Sequence, residues 1–196
     1  MKAVAGAVLL SMLALPAAAR AVDPYGRAAV GYMQSVIEQV NPALVVEDAH
    51  CARELPAAIY RQSRAQHVDW RQVFVLAWQE SAFDCHAKSG KDKGGAYGPF
   101  QIRRMWQPIT GDPRYRYYDP ELAARRVVKV LRYYLRSDRH GELLRRGFRN
   151  PLLCLYNTGE TQDVNMDYCR QVGEKMDLVR QGWQDFKRSA LIARSD

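Results

Sequence analysis

Hydrophobic positions recur at helical spacing along most of the chain, and the densest run covers residues 70–81. Within it Val73, Leu76 and Ala77 share one stripe, while Phe74, Val75 and Trp78 point to other sides. A helix apolar on nearly every side is an interior helix, and Asp69 just ahead of it offers a short acceptor to the free N–H groups of the first turn. Glu80 continues the stripe of Val73, Leu76 and Ala77. Burial disfavours its charge, as does the negative end of the helix dipole. Its pKa is therefore expected to rise, which makes it a candidate general acid. Taken alone, Glu80 fits a structural ion pair with one of the many arginines at least as well. The residues after it shift the balance. Ser81 brings a hydroxyl donor, Gly90, Gly94, Gly95 and Gly98 permit tight turns and close backbone approach, and Gln101 offers an amide suited to a sugar hydroxyl or amide.

The same periodicity predicts further helices. Asp23-Pro24 opens one with a core stripe of Ala29, Met33, Val36, Ile37 and Val40; Asn41-Pro42 ends it, and it is expected to pack on the outside of the domain. Residues 51–66 form another, with Leu55, Ala58 and Ile59 facing the core; Pro56 requires that helix to begin near Glu54. A short helical continuation through Arg103, Met105 and Trp106 should stop at Pro108. Residues 110–118 are loop by composition, and Tyr115, Tyr117 and Tyr118 suit either a cleft wall or surface cover. Asp119-Pro120-Glu121 starts the clearest helix, with Ala123, Val127, Val130, Leu131 and Tyr134 inside and Arg125, Arg126, Arg132 and Arg136 mostly on a solvated face. A short interior helix at 152–156 ends in Tyr156-Asn157-Thr158-Gly159, whose Asn and Gly suit a helix C-terminus. Residues 168–191 read as two helical pieces broken near Gly173 or Gly182, with Met176, Val179, Trp183 and Phe186 packing back. The fold class expected is mainly α, a single domain with at most a small β-hairpin near residues 94–100.

The ends, the charge and the cysteines set the compartment. Lys2, the apolar run 3–19 and the small residues after Pro16 read as a signal peptide over residues 1–21, too short for a comfortable membrane span. With no further apolar run long enough, no transmembrane segment is expected after cleavage, and the product belongs in the periplasm or outside the cell. Loss of Lys2 and Arg20 lowers the net charge from +8 to about +6. A basic exported chain suits an anionic polymer. Because no basic run carries interleaved aromatics, nucleic acid is not the expected partner. Four cysteines, Cys51, Cys85, Cys154 and Cys169, suit two disulfides in an oxidising compartment. Three pairings are open; Cys51 with Cys85 and Cys154 with Cys169 are favoured because each would tie neighbouring elements. His50-Cys51 and Cys85-His86 lack zinc-finger spacing, so no metal site is expected.

Three blocks in order carry a family resemblance. Glu80-Ser81-Ala82-Phe83, Gly95-Ala96-Tyr97-Gly98-Pro99-Phe100-Gln101-Ile102 and Tyr156-Asn157-Thr158-Gly159 resemble the E-S-x-F, G-x-x-G-x-x-Q-[IL] and A-Y-N-x-G blocks of the lytic transglycosylase domain, which has a goose-type lysozyme-like fold. The likeness covers residues 46–176, between an N-terminal helix at 22–45 and a C-terminal helical extension at 177–196. It implies a lysozyme-like domain cleaving the β-1,4 bond between MurNAc and GlcNAc of peptidoglycan glycan strands. Glu80 would be the single acid and base, oriented by Ser81 and Tyr156, with Gln101 and Asn157 holding the sugars. The substrate's own 6-hydroxyl attacks, giving a 1,6-anhydro product without metal or cofactor. Neither Asp84, beyond the helix end, nor Asp92, in a lysine-rich loop, offers a convincing second carboxylate. Phe100 and Thr158 stand where the family has methionine and alanine, the former expected to alter the cleft wall. Small members of the family often accompany an envelope-spanning secretion or conjugation complex. The readings competing with this one are a goose-type-like hydrolytic lysozyme and a non-catalytic peptidoglycan-binding component.

Overall fold

The computed structural model describes residues 23–90, 95–111, 118–159 and 163–192, so the predicted signal segment lies outside the described residues. The chain runs α1 (Pro24–Val40), α2 (Pro42–Glu47), α3 (Ala49–Ala65), α4 (Trp70–Ser81), β1 (Ala96–Tyr97), β2 (Ile102–Arg103), a 3-10 turn (Arg104–Trp106), α5 (Gln107–Thr110), α6 (Pro120–Leu135), α7 (Asp138–Arg145), α8 (Pro151–Thr158) and α9 (Met166–Ile192). This is a mainly α domain. No described helix is long and apolar enough to cross a membrane.

Local chemistry starts most of these helices. Asp23, Asn41, Asp48, Asp69, Asp119 and Ser137 each accept a hydrogen bond from a first-turn N–H. Asn41-Pro42 does more than stop α1, since Pro42 is the first residue of α2 and Asn41 its cap. Helix α3 begins five residues before Glu54 and keeps Pro56 in its interior. Proline there forfeits a backbone bond, but Cys51, Leu55, Ala58 and Ile59 are all fully enclosed, so packing overrides the local preference. Helix α7 follows a stretch with no strong apolar stripe; its signals are Ser137 at the cap, Asp138 in the first turn and Arg145 in the last.

Helix α4 is the central rod, set against α3, α6 and α9, with Val73, Phe74, Val75, Leu76 and Ala77 inaccessible to solvent. Helix α1 is built into the core and does not lie on its outside. Met33 is wholly buried, and Tyr32 meets Trp70 of α4 and Trp183 of α9 with ring centroids 6.3 and 5.7 Å apart. Helix α9 is one continuous helix, and the boundary drawn at 176 falls inside it. Gly182 does not break it; a Cβ there would stand 2.6 Å from the Tyr32 hydroxyl, so the glycine lets α1 and α9 approach. Arg126 departs from its expected solvated face and is fully enclosed, because α6 is covered by α3 on one side and α8 on another.

The hairpin is antiparallel, pairing Ala96 with Arg103 and Tyr97 with Ile102. The expected helical continuation after Ile102 is therefore strand and then a 3-10 turn, and Pro108 lies in the first turn of α5 instead of ending a helix. Cys51 is bonded to Cys85 and Cys154 to Cys169, with Cα atoms 6.0 and 4.9 Å apart. Of the loop tyrosines, Tyr115 and Tyr117 lie outside the described residues, and Tyr118 stacks on His86 at 5.4 Å.

Candidate active site

Helix α4 delivers Glu80 one residue before its end, and the chain leaves that helix through two consecutive left-handed non-glycine residues, Ala82 (φ 50°) and Phe83 (φ 72°). Such residues cost on the order of 1 kcal/mol each, so the surroundings must impose them. The Asn41 side chain donates to the Ala82 carbonyl at 3.0 Å. The Phe83 ring is fully buried against Phe74, with centroids 4.8 Å apart, and Cys85 is tied to α3. The sharp exit turns the chain away and leaves the last turn of α4 facing a cleft.

The glycine-containing turn of the hairpin forms the opposite wall. Gly98 takes φ 74°, and its carbonyl accepts from both the backbone N–H and the side-chain amide of Gln101, at 3.1 and 3.0 Å. Gln101 itself holds φ 47°, a left-handed conformation at a residue that lines the cleft. Two side chains clamp the turn. Ser81 Oγ donates to the Pro99 carbonyl at 2.9 Å, and Tyr156 Oη donates to the Phe100 carbonyl at 2.6 Å. These are the two hydroxyls expected to orient Glu80; here they hold the backbone next to Gln101. Phe100 is fully buried and takes no part in the cleft wall, so the expectation that it reshapes that wall is corrected; Met105 lines it instead.

The cleft, of about 230 Å³, is lined by Glu80 and Gln101, by Arg103 and Trp106 from the strand and the turn after it, by Tyr134 of α6, and by Tyr156, Asn157 and Thr158 of α8. Of the predicted site residues, Glu80, Gln101, Tyr156 and Asn157 thus share one cavity, and Ser81 stands behind it. The Asn157 side-chain oxygen accepts from Asn165 at 3.2 Å. Among the described residues Glu80 is the one carboxylate in the lining. Asp84 is turned to the backbone N–H of His86 at 2.7 Å, while Asp92 and Glu160 lie outside the described residues.

The hydroxyl on Glu80 comes from Tyr168, which sequence reasoning missed. Tyr168 Oη donates to Glu80 Oε1 at 2.6 Å, from the first turn of α9. The signal was indirect: Cys154 stands two residues before Tyr156 and Cys169 directly follows Tyr168, so their disulfide draws both tyrosines to one place. No hydrogen bond reaches Glu80 Oε2 from the described residues.

Electrostatics favour a protonatable Glu80. Its pKa lies above the ordinary value because burial outweighs three opposing influences, the Tyr168 hydrogen bond and the positive fields of Arg103 and Lys175. Tyr156 and Tyr168 are pushed well above 10, first by their own burial and then by the Glu80 charge, so both remain donors. Lys175 is lowered by burial, partly countered by Glu80; its Nζ donates to Gln79 at 2.8 Å and lies 5.4 Å from the centre of the Trp78 ring. A carboxyl with a raised pKa, one oxygen held by Tyr168, in the lining of a polar, aromatic-walled cleft has the features of a general acid.

Comparison with known proteins sharpens this. No curated protein and no solved structure matches the chain. A family model, the transglycosylase SLT domain, matches residues 57–175. That span runs from α3 into α9 and takes in every wall of the cleft. The chain therefore belongs to the transglycosylase SLT domain family, and as such is a peptidoglycan lytic transglycosylase, a lyase of the cell wall.

Proposed function

We propose that Glu80 is the single acid and base of this enzyme, and that it cleaves the β-1,4 bond between MurNAc and GlcNAc with formation of 1,6-anhydro-MurNAc. The observation that carries the reading is that Glu80, its pKa raised by burial, is the one carboxylate among the described residues of a cleft otherwise walled by amide, aromatic and cationic side chains. In the first step Glu80 gives its proton to the glycosidic oxygen. The bond to C1 of the muramyl sugar breaks, and positive charge develops at that carbon. In the second step the Glu80 carboxylate takes the proton of the sugar's own 6-hydroxyl as that oxygen bonds to C1. The atoms balance without water. A tethered nucleophile supplies the effective concentration that a positioned water would otherwise have to match. Tyr168 holds Glu80 in place, Gln101 and Asn157 bind the sugars, and Ser81 and Tyr156 fix the turn that presents Gln101.

The signal-like segment at 1–21 and the two disulfides, which suit an oxidising compartment, support export as part of this reading. The periplasm is the compartment that holds the substrate. Service to an envelope-spanning secretion or conjugation complex belongs to the same reading, and in-cell cross-linking that never captures such a complex would remove it. Mass spectrometry of fragments released from purified peptidoglycan in ¹⁸O water tests the chemistry. Anhydro-muramyl ends without label are expected, whereas labelled reducing ends would assign the protein to hydrolysis.

A further inference from the structure

One aromatic layer from the catalytic cleft lies a larger groove, of about 820 Å³, between α6, α5 and the start of α7. Lys129, Arg132 and Arg136 fall on one stripe of α6 and line it, joined by Arg139 of α7, against the single carboxylate of Asp138. From the sequence, Arg132 and Arg136 are expected on a mostly solvated face. In the structure they line a groove together with residues of α5 and the start of α7, and Lys129 Nζ is fastened to the Thr110 carbonyl at 2.8 Å. Arg139 is paired with Glu142 at 2.6 Å, but neither Arg132 nor Arg136 has an ion-pair partner among the described residues. Two guanidinium groups without an ion pair among the described residues, in a groove where cations outnumber the one carboxylate of Asp138, are suited to bidentate binding of carboxylates.

The groove and the cleft share a wall. The Trp106 ring meets Tyr133, which lines the groove, at 5.7 Å, and Tyr134, which lines the cleft, at 5.2 Å. One layer of aromatic rings therefore separates the groove from the cleft. The glycan backbone of peptidoglycan offers such a groove nothing ionised. Its muramyl sugars do carry short peptides with several carboxylates, flexible enough to leave the strand and enter a neighbouring hollow. We infer that the Lys129–Arg132–Arg136 groove binds the carboxylate-bearing peptide stems of the strand being cleaved, and so selects glycan that still carries peptide. The inference rests on the proposed peptidoglycan substrate. An acidic protein partner would satisfy the same charges, but shared walls with the cleft favour a substituent of the substrate itself.

The test uses the full exported chain carrying Glu80→Gln, so that substrate is not consumed, and reads co-sedimentation with peptidoglycan. One preparation keeps its stem carboxylates and the other has had them converted to neutral amides with ammonia and a carbodiimide, which leaves the cross-links intact. The preparation with free carboxylates should be bound about tenfold more tightly, and Arg132→Glu with Arg136→Glu should erase that preference. Added salt should erase it too, since exposed charges are screened. The milder Arg136→Gln, at an exposed position, should lose part of the preference and guards against a folding artefact. Equal binding of the parent chain to both preparations overturns the proposal, as does a charge-reversed chain that keeps its preference; either result leaves the groove to an acidic protein. Failure of the proposed function is a separate result, namely an otherwise native chain that releases no anhydro fragments from either preparation.

Discussion

At the scale of single residues, the pKa of Glu80 links stability to catalysis. Its ordinary value is 4.5, and the folded value is higher. Below 4.5 both folded and unfolded chains hold the proton and Glu80 contributes no pH dependence. As pH rises from there, the unfolded chain ionises first and stability falls until the folded value is passed. Glu80→Gln should therefore abolish wall lysis yet gain stability over the parent as pH rises from 4 to 7. Denaturant melts at both pH values measure this, and a variant that loses ground at pH 7 would mean the carboxylate is stabilising. Tyr168→Phe removes an influence that lowers the Glu80 pKa. Its pH profile should shift to the alkaline side on the descending limb, with kcat reduced about 10²-fold if orientation is lost as well. An unshifted profile would show that Tyr168 serves packing alone. Glu80 was legible in the sequence because it stands on an apolar stripe where no charge is expected. Tyr168 was not, because its partner lies 88 residues away in sequence.

At the scale of elements, helix starts were readable and helix interiors were not. Caps are local: an Asx or Ser side chain bonds N–H groups two or three residues on, so the cue and its effect share one short window. The fate of a proline or glycine inside a helix depends on what packs beside it. Pro56 is expected from the sequence to set the start of its helix near Glu54 and Gly182 to break one, yet both lie within continuous helices. Gly182→Ala should raise helix propensity by about 1 kcal/mol, yet its new Cβ would meet the Tyr32 hydroxyl, which donates to the Val179 carbonyl at 3.1 Å. The Tyr32 ring is locked among Trp70, Trp183 and Phe186 and has little room to retreat. The net effect expected is a loss of about 1–2 kcal/mol, measurable by denaturant titration. A stabilised variant would show that the α1–α9 contact is softer than its packing suggests.

At the scale of the whole molecule, each disulfide ties together segments that carry or flank cleft residues. Cys51–Cys85 anchors the strained exit from α4, and Cys154–Cys169 joins α8, which carries Tyr156 and Asn157, to the first turn of α9, which carries Tyr168. Replacing Cys154 and Cys169 together by serine should cost about 3 kcal/mol of stability. It should also lower activity at temperatures where the chain is still folded, because the tie beside Tyr168 is gone. Activity that persists undiminished below the melting transition would separate that disulfide from the site. Sequence alone determined the helical class, the acidic residue at the end of an apolar helix, the amide-bearing turn and the tyrosine–asparagine corner, since each is written in residues close together along the chain. Tertiary structure alone decided which hydroxyl touches Glu80, that Ser81 and Tyr156 serve the turn instead, that α1 belongs to the core, and that the cations of α6 face a hollow. Those outcomes depend on distances between segments far apart in sequence, which no periodicity or local propensity encodes.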